Sequence, residues 1–128
     1  MSDIVHSAIV ATFQFAGEQA LPATTTRRLA IIVEEIVTNV LCHASDGRDI
    51  ALTLRLHHGE DGLFVTLEDD SIPFDPRSAP LRELPNPDRG GGVGLALVKA
   101  WTKIVSYDCE GRQNRLVLQL HPSGDPAN

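Results

Sequence analysis

Apolar residues recur along this chain with two periods, and the period changes at breaks marked by glycine and proline. Ile4, Val5, Ala8, Ile9, Thr12, Phe13 and Ala16 fall at helical steps, predicting a first amphipathic helix that Ser2 or Asp3 can cap. Gly17 and the Leu21–Pro22 pair predict its end and a turn. The strongest pattern is RRLAIIVEEIVTNVLCHA, Arg27 to Ala44. There Leu29, Ile32, Val33, Ile36, Val37, Val40 and Leu41 form one continuous stripe on a second helix. Thr24, Thr25 or Thr26 is expected to cap it, and Ser45-Asp46-Gly47 to break it.

The period then falls to two. Ile50, Leu52, Leu54 and Leu56 alternate with Ala51, Thr53, Arg55 and His57, and Leu63, Val65 and Leu67 repeat the pattern after Gly59-Glu60-Asp61-Gly62. This predicts a hairpin with one buried face. From Asp69 to Gly92 no period survives, and Pro73, Pro76, Pro80, Pro85 and Pro87 crowd the stretch. So long a patternless loop inside a compact domain is usually functional or mobile. Leu95, Val98, Ala100 and Trp101 mark a third helix. Ile104–Cys109 and Arg115–Leu120 then predict a second hairpin, turning through residues 110–114, before a frayed tail at 121–128. Two hairpins separated by a helix predict an α+β fold: a two-layer sandwich whose mixed, mostly antiparallel sheet carries its helices on one face.

Composition narrows this picture only slightly. At 128 residues the chain is expected to form a single domain, and 42% apolar with 22% charged residues is ordinary for a globular protein. A net charge of −6 argues against nucleic acid or an anionic membrane as the main partner. No cationic leader or apolar run of about 20 residues stands out, so a cytoplasmic location is expected. Cys42 and Cys109 are expected to be free, buried thiols, and His57 and His58 to lie on the surface.

Three local features can carry chemistry. Glu35, Asn39 and His43 recur every four residues along the margin of the apolar stripe, where they could offer a base and ligands to a cation. Gly90-Gly91-Gly92-Val93-Gly94 opens the third helix, where backbone N–H groups and the helix dipole suit a phosphate, with Arg89 adding charge. It is neither a Walker A loop nor a dinucleotide fingerprint. Asp69 and Asp70 close a strand, where a carboxylate can accept from an exocyclic amine. Each feature alone has an ordinary explanation: solvated helix rim, hinge, turn acids.

In this order and spacing they resemble something specific. Glu-x-x-x-Asn-x-x-x-His-Ala, then Glu-Asp-Asp-Ser-Ile-Pro-Phe-Asp-Pro, then Gly-Gly-Gly-Val-Gly-Leu-Ala-Leu-Val, resemble the histidine-kinase-like (Bergerat-fold) ATPase superfamily. The match is closest to its anti-sigma-factor serine-protein kinases and runs from about Ile4 to Leu120, including the closing Gln-Asn-Arg-Leu-Val-Leu strand. The resemblance implies ATP and Mg²⁺ as cofactors. By position, it implies Glu35 as general base, Asn39 as the Mg²⁺ ligand and His43 as the end of the same box. Asp69 would read the adenine amine. Gly90, Gly92 and Gly94 form the glycine box, with Arg89, Gly91, Val93 and Leu95 joining the nucleotide-binding set. Residues from Pro76 to about Gly92 would form an ATP lid.

The chain departs from the family pattern twice. Ser71 stands where the adenine box usually has glycine, a place where a side chain is expected to crowd the base or lower affinity. The first helix also begins almost at once, where the family has a strand, so the sheet is expected to keep an open edge. The implied function is a serine/threonine-protein kinase that phosphorylates a small antagonist protein and sequesters a sigma factor. Family members are commonly dimers, so a homodimer goes with that reading. The alternatives are a non-catalytic nucleotide- or partner-binding regulatory module and a detached sensor histidine kinase catalytic domain.

Overall fold

The computed structural model describes residues 2–43, 49–73 and 93–121, apart from the side chains of Ser2, His43, Val93 and Leu95. Their order is α1 (Ser2–Glu18), α2 (Ala23–His43), β1 (Leu52–Gly59), β2 (Gly62–Asp69), α3 (Val93–Trp101), β3 (Thr102–Glu110) and β4 (Gln113–Leu120). The expected lid, residues 76–92, and the tail beyond His121 lie outside the described residues.

Two helix boundaries differ from expectation. Gly17 does not end α1, which runs on through Glu18. The turn instead closes at Ala20, whose φ of 53° is left-handed. Leu21 N–H donates to Ala16 O at 3.0 Å and Ala20 N–H to Gly17 O at 3.2 Å, the paired bonds of a Schellman cap. At the start of α2, Thr26 N–H and Thr26 Oγ1 both donate to Pro22 O, at 2.9 and 3.0 Å. Pro22 therefore stands at the N-cap in place of a threonine; it has no N–H to lose there.

The four described strands form one sheet in the order β1-β2-β4-β3. Every pairing among them is antiparallel. The helices cover one face. Leu29, Ile32, Val33, Ile36 and Val37 of α2 pack over Leu63, Val65 and Leu67 of β2, Leu116, Leu118 and Leu120 of β4, and Val98 of α3. On the other face Glu68 lies between Arg55 and Arg115, at 3.4 and 3.3 Å. β1 is an edge strand, and its inward residues Leu52, Leu54 and Leu56 are only half-buried.

The second hairpin is tighter than its sequence suggests. Glu110 pairs with Gln113, which leaves a two-residue turn, Gly111-Arg112, with Gly111 at φ 63°. Left-handed backbone of that kind favours glycine. The short turn draws Asn114 out of the loop and into β4, opposite both Cys109 and Asp69. The cysteines also differ from expectation: Cys42 and Cys109 are both exposed. Cys42 falls opposite the apolar stripe of α2, and Cys109 close to the turn of a hairpin. His57 and His58 are on the surface.

Candidate functional site

The end of β2 brings the chemistry together. Period-two alternation turns Asp69 inward with Val65 and Leu67, and Asp69 is 5% exposed. Its Oδ1 accepts from Ser71 N–H at 2.9 Å, from Asn114 Nδ2 at 2.9 Å, and from the Ser71 hydroxyl. Asn114 Nδ2 also donates to Ser71 O at 2.8 Å. Asn114 Oδ1 is buried and has no hydrogen-bond partner among the described residues. Asp70 faces the other way and accepts from Ala51 N–H at 2.9 Å, fastening the chain just before β1. The two adjacent acids thus separate into a site residue and a structural one.

Asn39 approaches the same place from α2. It is 7% exposed and lines a cavity with Asp69, Ser71 and Asn114 over an apolar floor that includes Ile36, Leu67 and Leu116. The cavity volume is about 30 Å³. Lys99 and Tyr107 complete the wall.

Glu35 lies one helical turn before Asn39 but belongs to a different contact. A Cβ built on Gly94, in the first turn of α3, would run into the Glu35 carboxylate and come within 3.1 Å of its Cγ. The absence of a side chain at position 94 therefore makes room for Glu35. The structure brings Asn39, Asp69 and Ser71 together and sets Glu35 beside Gly94. His43 ends α2 and Val93 and Leu95 lie in the first turn of α3, but their side chains are not described. Arg89, Gly90, Gly91 and Gly92 lie outside the described residues.

Ser71 does not stand free to crowd a ligand. Its hydroxyl is turned onto Asp69, and the residue is 6% exposed. Asn114 falls within the turn expected over residues 110–114 and so carries no predicted facing. Running the Leu120-Leu118-Leu116 alternation back one step would have found it. Tyr107 had no such signal: a register irregularity between Ile104 and Ser106 shifts the facing of β3.

The helices, the strand order and a cavity with a buried acid in its wall have counterparts among known domains. A family model described as a histidine kinase-like ATPase domain matches residues 4–120. The chain belongs to that family. Among solved structures, this ATPase domain is similar to the histidine kinase domain of the blue-light activated histidine kinase EL346 from Erythrobacter litoralis. That match has 26% identity and a TM-score of 0.54, covering 77% of this chain and 48% of that one. A structure titled as the EL346 kinase itself gives 23% identity and a TM-score of 0.57, with 84% and 33% coverage, a likeness of fold alone. The ATPase domain thus spans half or less of the length of these solved chains. No curated protein matches it. No helix among the described residues is long and apolar enough to cross a membrane.

The residues present fit an adenine nucleotide. A buried acceptor without a donor is costly, and Asn114 Oδ1 together with Asp69 offers acceptors to an amine. Among the described residues no cluster of three or more His, Cys, Asp or Glu side chains could hold a metal. A magnesium ion here would take the Asn39 amide oxygen as its side-chain ligand and complete its shell with phosphate oxygens and water.

Proposed function

We propose that this ATPase domain is an anti-sigma-type serine/threonine-protein kinase that binds ATP with Mg²⁺, phosphorylates a small antagonist protein and sequesters a sigma factor. The observation that carries this reading is the division of α2 between two neighbouring tasks. Asn39 and Asp69 line one cavity, and Glu35, one turn away, holds its carboxylate against the start of α3. A carboxylate there suits acceptance of a proton from an attacking hydroxyl, while Asp69 reads the exocyclic amine of the base. Bound Mg²⁺ supplies charge neutralisation at the phosphates, and transfer otherwise rests on positioning. The half-covered edge at β1 is consistent with a second copy or a protein partner.

Calorimetry with ATP, ADP and GTP, with and without Mg²⁺, followed by labelled ATP and candidate antagonists, tests the proposal. Glu35→Ala is expected to abolish transfer while ADP affinity stays within about threefold, and Asn39→Ala to remove the Mg²⁺ enhancement of binding, roughly tenfold or more. Wild-type transfer by Glu35→Ala would remove Glu35 from the mechanism.

Similarity to histidine kinase domains favours one second reading, a catalytic domain that phosphorylates a histidine on a separate protein. Acid-labile product would support it, and acid-stable phosphoserine or phosphothreonine the first. Tight partner binding without label transfer would point to a non-catalytic regulatory module.

A further inference from the structure

We propose that the edge of β1 and the groove beneath α1 form a strand-addition site for an extended segment of another protein, apolar at alternate positions and basic where it passes Asp3. This surface shares only Leu67 with the cavity lined by Asn39 and Asp69, and the proposal does not rest on the nucleotide reading.

The two edges of the described sheet differ. β3 carries devices that discourage an added strand, a register irregularity between Ile104 and Ser106 and an exposed Lys103. β1 carries neither. Its register against β2 is unbroken from Leu52 to Gly59, and it contains no proline. Ala51 N–H points to Asp70, just past β2, and the Gly59–Gly62 pair closes a two-residue turn on that same side. Backbone direction alternates along a strand, so Leu52, Leu54, Leu56 and His58 turn their N–H and C=O groups to the open edge.

The same leucines face inward, where they are half-buried. Between Leu52 and Leu54 on one side and Ile4, Ala8 and Ala11 of α1 on the other lies a groove of about 410 Å³. Asp3 is the one charged residue among the described residues that line it. An occupant must therefore offer backbone donors and acceptors along one edge and an apolar side chain at every second residue, and an extended chain does both. Asp3, on a chain of net charge −6, favours a cation at its end. A second copy does not fit. An antiparallel pair of β1 edges with its leucines on one face would set the two α1 helices above strands about 4.8 Å apart, inside the roughly 8–10 Å that packed helices need.

The test is amide hydrogen exchange of the full chain with the end-capped peptide Lys-Thr-Leu-Thr-Val-Thr-Lys. Saturating peptide is expected to slow exchange at Leu52, Leu54 and Leu56 about tenfold or more, with a dissociation constant below about 1 mM. The peptide N-methylated through its Leu-Thr-Val centre is expected to protect none of them, and glutamate in place of both lysines to weaken binding about threefold or more. Ala11→Phe, which fills the groove, is expected to weaken peptide binding about tenfold while the circular dichroism spectrum stays that of wild type. If that variant does not fold, the peptide series on wild type decides. No protection at millimolar peptide would overturn the proposal, as would equal protection by the N-methylated or the glutamate peptide. Protection of the same amides that rises with protein concentration, without peptide, would put a second copy there and overturn it as well.

Discussion

At Gly94 the side chain is a hydrogen atom, and Glu35 fills the space a methyl group would need. The glycine box is expected to serve phosphates and close backbone approach; at this position the structure adds a close approach to a carboxylate. Gly94 sits in the first turn of α3 without left-handed backbone, so alanine is tolerated by the main chain, and the nearest obstacle to its Cβ is the Glu35 side chain. Alanine favours a helix by up to about 1 kcal/mol over glycine, which offsets displacement of a flexible side chain. Gly94→Ala is therefore expected to leave stability within about 1 kcal/mol of wild type while phosphotransfer falls roughly tenfold or more. Denaturation curves and a single-turnover transfer assay check the two halves separately. Transfer at the wild-type rate would show that the proposed base does not depend on this seat.

Between elements, the α1–α2 turn carries a residue ill-suited to its backbone. Ala20 adopts φ 53° at the position where a Schellman cap normally takes glycine, and left-handed backbone costs a residue with a Cβ about 1–2 kcal/mol. Glycine relieves that strain but widens the unfolded ensemble, so the net gain for Ala20→Gly is expected to be about 0.5–1 kcal/mol. A urea midpoint that rises with an unchanged slope would bear this out; a midpoint that falls would show that the unfolded-state term wins. This cap also marks where the sequence stops being legible. The apolar stripe of α2 and the alternation of β2 could be read in advance because burial imposes a period, and Leu29, Ile32, Val33, Ile36, Val37, Val65 and Leu67 are all in the core. Caps and turns have no period. Gly17 was therefore misread as a helix end, three threonines as caps, and Gly111-Arg112 as part of a five-residue turn. That last error hid Asn114, which holds Asp69 across the strand pair. The irregularity in β3 hid Tyr107 in the same way, since alternation predicts a face only while the register is unbroken.

Across the molecule, the cavity is shared by elements far apart in sequence. Asn39 comes from α2, Asp69 from the end of β2, Lys99 from α3, Tyr107 from β3 and Asn114 from β4. A ligand that bridges them binds the folded chain and finds no such arrangement in the unfolded one, so its binding free energy adds to global stability. The same elements contribute Ile36, Leu67, Val98, Leu116 and Leu118 to both the cavity lining and the core, so the walls of the site cannot separate without opening the core. At a hundred times its dissociation constant, ADP with Mg²⁺ is expected to stabilise the chain by about 2.7 kcal/mol, raising the melting temperature by roughly 10 °C for a domain of this size. Hydrogen exchange should slow in β2 and β4 as well as beside the ligand, because those strands exchange only when the shared core opens. Binding seen by calorimetry without a shift in melting, or with protection confined to one element, would mean that the nucleotide sits elsewhere. The shift should also shrink in Asn39→Ala when magnesium is present, since that variant lacks the amide proposed to link metal and phosphates to α2.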